Sequence, residues 1–295
     1  MSARMPKPHL PSLILRLTGA FFILLALSAC SSVKLFYGFA DNALESRAEQ
    51  YLDLDAADEK LVREEVARLV AWHRTAMLPR YAAFLNRQAD TNDKGPWRRE
   101  DVAAAFTEFR VLLDDTVAGA APYISRVLAR HTAPSKVDHL EAQMAAYIAE
   151  ERLEEQEAPF DELLEQRVDR RVANLERFIG PLRDDQVEIV RLHTRPTVGD
   201  RMLWLDQLEK RQRALADYLR RDPASAALAA FVYQLVLRGY DIVDPSYKNV
   251  SAARWRKLEA LYADVMASLS EEQRLNLSRT LRGYAKDILE LAAGE

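Results

Sequence analysis

Cysteine is almost missing from this chain: Cys30 is the only one in 295 residues. One thiol closes no intrachain disulfide and builds no cysteine-based metal cluster. Glycine is also scarce, at nine residues, and no Gly-rich phosphate loop or Gly-x-Ser-x-Gly elbow occurs. Histidine is limited to five residues, and none forms a His-Glu-x-x-His pair, so no metal site is expected. No alternating run of β-branched residues is long enough to predict a strand. An excess of positive charge is lacking too: 41 basic residues face 45 acidic ones. That balance argues against nucleic acid as a partner and against broad docking on anionic lipid.

What is present begins at the N-terminus. The first 29 residues carry Arg4, Lys7 and Arg16 and no acid, and Leu17 to Leu27 is almost wholly apolar. A basic segment, a short apolar core and small residues at the exit have the layout of a secretory signal peptide. The core falls short of the ~20 apolar residues that a spanning helix needs. Its exit, Leu27-Ser28-Ala29-Cys30, resembles the bacterial lipobox. The resemblance implies a diacylglyceryl group on the Cys30 thiol, cleavage just before Cys30, and an N-acyl chain on the new amine. Several chains anchor a protein stably where one does not, at ~0.8 kcal/mol per buried methylene. No other cofactor is expected. Ser31 follows, and in enteric lipoproteins the absence of Asp there favours the outer membrane, with the body facing the periplasm. The expected organisation is a signal peptide at 1–29, a lipidated tether at 30–33 and one helical domain at 34–295. Loss of Arg4, Lys7 and Arg16 with the leader takes the net charge from −4 to −7.

The mature part is rich in Ala, Leu, Glu and Arg, which predicts an all-α fold, an elongated bundle of long, Pro-kinked helices. Helices are expected at 34–51, 56–89, 98–130, 135–179, 184–220, 223–239, 248–268 and 271–292. Asp55 is placed to cap the second. Its stripe of Val62, Val66, Leu69, Val70, His73, Met77 and Tyr81 recurs at steps of three and four, with a kink expected at Pro79. The third is expected to bend near Gly119 and Pro122, and the fifth at Pro196 and Gly199. Ser135 with Asp138 is read as the start of the fourth. That helix loses its apolar face over Glu150–Glu157, which predicts a solvated, protruding or poorly packed middle. Asp90 to Pro96 and Asp241 to Tyr247 are read as loops.

Several helix starts share a spacing. Leu269-Ser270-Glu271-Glu272-Gln273 is a capping box, and Leu182-Arg183-Asp184-Asp185-Gln186 repeats it without the ideal cap. The echo resembles the Leu-Thr-x-x-Gln motif of small periplasmic stress chaperones of the Spy class. Repeated capping chemistry explains it equally.

A broader resemblance is carried by Ser31-Ser32-Val33-Lys34-Leu35 with Tyr37, Tyr51-Leu52-Asp53-Leu54, Trp72-His73-Arg74, Leu78-Pro79-Arg80-Tyr81, and Arg201 with Trp204-Leu205. Together with the lipobox, these stretches resemble an uncharacterised group of bacterial lipoproteins, domain of unknown function 6279. The resemblance implies an all-helical body facing the periplasm and implies no activity.

The polar positions that stand out are Trp72, His73, Arg74, Arg80, Arg191, Arg195, Arg201 and Trp204. His73 reads either as a proton-sensitive contact or as a hydrogen-bonded core imidazole. Arg191, Arg195 and Arg201 read as an anion clamp or as structural ion pairs. Trp72, Trp204 and Trp255 read as groove lining or as core. No catalytic set is found. The leading expectation is a non-catalytic, membrane-anchored interaction or scaffold protein with an envelope protein partner. A periplasmic holdase chaperone or stress sensor is the alternative, and an envelope hydrolase the third reading.

Overall fold

The computed structural model describes residues 34 and 37–294. The expected signal peptide, the lipobox residues Leu27, Ser28, Ala29 and Cys30, the residue Ser31 and the tether lie outside the described residues. Among the described residues every regular element is helical. They are α1 (Ala40–Tyr51), α2 (Ala56–Trp72), α3 (Leu78–Asp93), α4 (Arg99–Leu128), α5 (Pro134–Glu157), α6 (Phe160–Ile179), α7 (Asp184–Thr194), α8 (Asp200–Leu219), α9 (Ser225–Val243), α10 (Tyr247–Ala267) and α11 (Glu271–Ala293).

Local chemistry explains most boundaries. Asp55 caps α2 as expected: its carboxylate accepts from the N–H groups of Ala57 and Asp58, each at 2.9 Å. Pro79 has no N–H to give to residue 75. The chain answers with a π turn over His73–Met77, in which the Leu78 N–H reaches back five residues to the His73 carbonyl. The widened turn therefore precedes the proline rather than sitting on it. Pro122 is carried inside an unbroken α4, so the expected bend does not end that helix. Gly119 has a packing reason: a Cβ there would lie 1.8 Å from the Trp72 ring.

Four expectations need correction. The single helix at 135–179 is two, α5 and α6, because Ala158 turns extended before Pro159. Its start is Pro134 in the first turn after Ala133, and neither Ser135 nor Asp138 caps it. The helix at 184–220 is divided by a 3₁₀ turn at Arg195–Thr197, where Pro196 removes a donor. The loops at 90–96 and 241–247 are shorter than expected, since α3 runs to Asp93 and α9 to Val243.

The acidic stretch at 150–157 is not loose. Glu151 binds Arg201, Glu155 binds Arg167, and Arg152 bridges to Asp206 at 2.7 Å and Glu209 at 2.6 Å. Its apolar face vanishes because ion pairs to α6 and α8 replace apolar packing there.

Two large apolar cores and a small cluster of Trp97, Val102 and Ala263 result. The first joins α1, α2, the end of α4, α5, the end of α8 and the start of α9 around Val62, Leu128, Val137, Leu219 and Leu228. The second joins α3, α6, α7, α10 and α11 around Leu164, Val168, Ile179, Val190, Val265 and Leu277. The α2–π–α3 rod serves both cores. Helix α9 is long and apolar enough to cross a membrane on length and composition alone, but here Leu228 and Val232 are core residues packed against α4 and α8.

The two helix starts that echo one another in sequence meet in the second core. Gln186 donates to the Gln273 carbonyl oxygen at 2.9 Å, and Gln273 donates back at 2.8 Å. Each glutamine also accepts from the backbone N–H three residues before it. The shared spacing is thus a reciprocal, buried amide clasp between α7 and α11.

Candidate functional site

Between the two cores lies a cavity of about 560 Å³. Its walls come from the middle of α6, the α7–α8 corner, the first half of α8, the end of α9, the first half of α10, and Leu113 of α4. The cores take up neighbouring turns of these helices, and Leu258 of the cavity wall also packs against the second core. The size falls within the ~300–1,000 Å³ usual for small-molecule sites.

Its charge is one-sided. Arg167, Arg170, Arg171, Arg201, Arg211, Arg254 and Lys257 line it, and Asp200 is the one carboxylate among its described lining residues. Three of the seven cations are matched: Arg167 by Glu155, Arg201 by Glu151, and Lys257 by Asp200 at 3.2 Å. The other four arginines form no ion pair among the described residues and find neutral acceptors at most. Arg171 donates to the hydroxyls of Thr194 at 2.9 Å and Thr197 at 3.3 Å. Arg254 donates to the Tyr247 hydroxyl at 3.2 Å. Arg211 donates to the Val236 carbonyl at 3.2 Å, while its Nε is buried without a partner. Burial, and then the neighbouring Arg167 guanidinium, hold Arg171 below the ordinary guanidinium pKa; burial does the same to Arg211.

Gly239 is part of this arrangement. A Cβ there would lie 2.4 Å from the Arg211 Nε, so the bare backbone of α9 lets the guanidinium stem pass. Trp204, Trp255, Leu258, Leu113 and Val236 add an apolar share to the lining. Arg201 stacks over Trp204 at 4.5 Å, and Arg110 lies over Trp255 at 4.5 Å.

The polar residues singled out from sequence divide into three places. Arg201 and Trp204 line the cavity, together with Trp255. Arg191 is taken by Glu165, with Glu188 at 3.6 Å, and Arg195 lies over Phe160; neither lines the cavity. Trp72, His73, Arg74 and Arg80 gather at the π turn. There His73 Nδ1 meets the Tyr37 hydroxyl at 3.1 Å and its ring stacks on Tyr37. Arg74 lies 5.6 Å over the Tyr37 ring, and Arg80 binds Asp115. Burial lowers the His73 pKa.

Sequence reasoning missed Arg167, Arg170, Arg171, Arg211 and Arg254. A signal existed: Arg167, Arg170 and Arg171 recur at i, i+3 and i+4, which puts three like charges on one helix face. What sequence does not reveal is that α8 and α10 bring two more arginines to the same space.

A second hollow, about 270 Å³ and almost wholly apolar, lies between α1, α2 and α4, walled by Leu44, Tyr51, Val62, Leu69, Ile124 and Leu128. Neither the comparison with curated proteins nor that with solved structures returns a match. A family match does run over residues 50–235, well over half of the chain, and it takes in α2 to α8 and therefore most of the arginines of the cavity. On that match the chain belongs to the family described as "Family of unknown function (DUF6279)".

Proposed function

We propose that this chain is a lipid-anchored, non-catalytic protein of the bacterial cell envelope whose helical body binds an anionic ligand in the arginine-lined cavity. The observation that carries the reading is the set of four arginines that line one cavity and form no ion pair among the described residues, the cavity's Asp200 being held by Lys257, in a protein that is acidic overall. Arg171, Arg211 and Arg254 are partly withdrawn from water, with Arg170 exposed beside them, and partly desolvated cations that the fold leaves unmatched are matched by an anion from outside. The titratable neighbours are already engaged: Asp200 holds Lys257, and His193 meets Asp264 at 2.8 Å, a carboxylate that Arg99 also binds at 2.5 Å. A binding role suits groups held in this way better than a hydrolytic one.

The anchor is Cys30, and the expected side is the periplasmic face of the outer membrane. Lys34 is bound to Glu290 of α11 at 2.6 Å, only four residues from Cys30. At roughly 3.5 Å per residue the body is then held within about 14 Å of the acylated residue. Labelling with a palmitate analogue tests the anchor: the label should be lost in Cys30→Ala. Calorimetric titration of the detergent-solubilised protein with inorganic phosphate tests the cavity. Heat that saturates, and that disappears in Arg171→Met, supports the reading; no saturable heat at low salt overturns it.

A holdase role is the second reading, favoured by the apolar hollow under α1, where Leu44 and Ile124 stay exposed. The glutamine motifs lend it little, since Gln186 and Gln273 are bound to each other inside the fold. Suppression of light scattering from an aggregating client near equimolar ratio is its test.

A further inference from the structure

We infer that the ligand of the cavity carries two phosphoryl groups on an organic body; this rests on the reading that the cavity takes an anion. The unmatched arginines come from three walls of the cavity. Arg171 of α6 donates to the threonine hydroxyls of the α7–α8 corner, and the exposed Arg170 precedes it on the same helix. Arg211 of α8 and Arg254 of α10 come from other walls, Arg254 bound to Tyr247 and Arg211 threaded past Gly239.

Charge count decides the class of anion. A phosphate monoester carries about −1.5 to −2 near neutral pH, so two of them supply roughly −3 to −4. That balances four unmatched guanidinium groups. Two carboxylates supply half as much, and one phosphoryl group leaves about two of the guanidinium charges unbalanced. The fork geometry of guanidinium also fits several phosphoryl oxygens at once. Volume decides the rest. A cavity of about 560 Å³ has room for a drug-sized molecule rather than a bare ion. Trp204, Trp255 and Leu258 give its organic body an apolar wall.

The test titrates the detergent-solubilised full chain with three probes: inorganic phosphate, 1,6-hexanediol bisphosphate, and phosphatidylethanolamine vesicles carrying bis-phosphorylated lipid A. The hexanediol compound should bind at least about 30-fold more tightly than phosphate, because its second group binds at a raised effective concentration. Arg171→Met and Arg211→Met should each bring it down to the affinity of phosphate. Gly239→Ala, which keeps every arginine and displaces Arg211, should act like Arg211→Met, and helical circular dichroism checks that all three variants fold. Stronger binding of the vesicles than of vesicles without lipid A places the phosphoryl groups on a lipid; binding of the soluble probe alone places them on a free molecule. A bisphosphate no tighter than phosphate, or an Arg211→Met variant equal to the parent, overturns the two-group inference and leaves the anion cavity standing. No binding of any probe overturns both.

Discussion

Two places in this molecule bring arginine and lysine inward, and they are built on opposite rules. In the first core, Asp58 and Glu65 are almost fully buried, and the cations come to them. Asp58 binds Lys136 and has Arg130 at 3.4 Å and His131 at 3.7 Å. Glu65 holds Arg126 at 2.7 Å and Arg68 at 2.6 Å. Four cationic side chains and a histidine meet two carboxylates there, and three of the four cations keep more than a third of their surface in water. In the cavity the cations are the inward groups, and four of them meet no carboxylate. Evidently this sequence can place an acid where a buried charge needs one. Its failure to do so in the cavity is therefore informative: matched charge fixes helices, while unmatched charge at a hollow awaits a ligand.

The sharpest way to break this comparison is to remove an acid from the first place. Asp58→Asn leaves Lys136 and the fully buried His131 facing a neutral amide. We expect a loss of about 3 kcal/mol in urea unfolding, the range for breaking a buried pair from one side. The same variant alters acid behaviour. Burial raises the Asp58 pKa, but Lys136 and His131 outweigh it, and the net value lies below the ordinary aspartate range. Its stabilisation is thus complete above the unfolded value and fades as pH falls through the lower folded one, so Asp58→Asn should flatten the curve only in strong acid.

A smaller effect is expected from Glu155→Gln, which carries the cavity further from balance. Arg167 joins the unmatched set, stability drops by about 1–2 kcal/mol as a charged hydrogen bond is lost, and phosphate binds more tightly. Arg171→Met goes the other way. It removes a like charge from beside Arg167 and keeps an apolar stem, so we expect a change within about 1 kcal/mol, in the stabilising direction, with phosphate binding lost. Opposite signs for Asp58→Asn and Arg171→Met in one denaturation series would establish the contrast. Equal losses would mean that the cavity arginines are structural after all.

The helices were legible because local chemistry sets them: Asp55 and Ser270 cap where the sequence places caps. Breaks were legible only as kinks. Pro159 and Pro196 look alike on paper, yet one ends a helix and the other is absorbed in a 3₁₀ turn, according to what packs on either side. Arg201 and Trp204 were visible as site residues, but their companions were not. Arg171, Arg211 and Arg254 lie on three helices whose meeting depends on tertiary packing. The acidic run at 150–157 misled for the same reason, since its partners on α6 and α8 are distant in sequence.

The fully buried His131 and the half-buried His73 repeat the contrast on a smaller scale. His131 has the Asp58 carboxylate 3.7 Å away, whereas His73 at the π turn has a phenol and aromatic rings, with the Arg74 guanidinium close by over the same Tyr37 ring. Burial lowers the His73 pKa, and among the described residues no carboxylate pairs with it to retain a proton. In the unfolded chain it titrates near 6.5. Between that value and the lower folded one, only the unfolded state binds the proton. Stability must therefore decline as pH falls below about 6.5, and level off once the folded imidazole is also charged. His73→Phe keeps a flat ring against Tyr37 and Tyr81 and removes the titration. Urea unfolding at about pH 7.5 and 5.5 should show the parent losing more stability than the variant between the two. A variant with the parent's slope would place that decline elsewhere, and would leave His73 as an uncharged packing residue throughout this range.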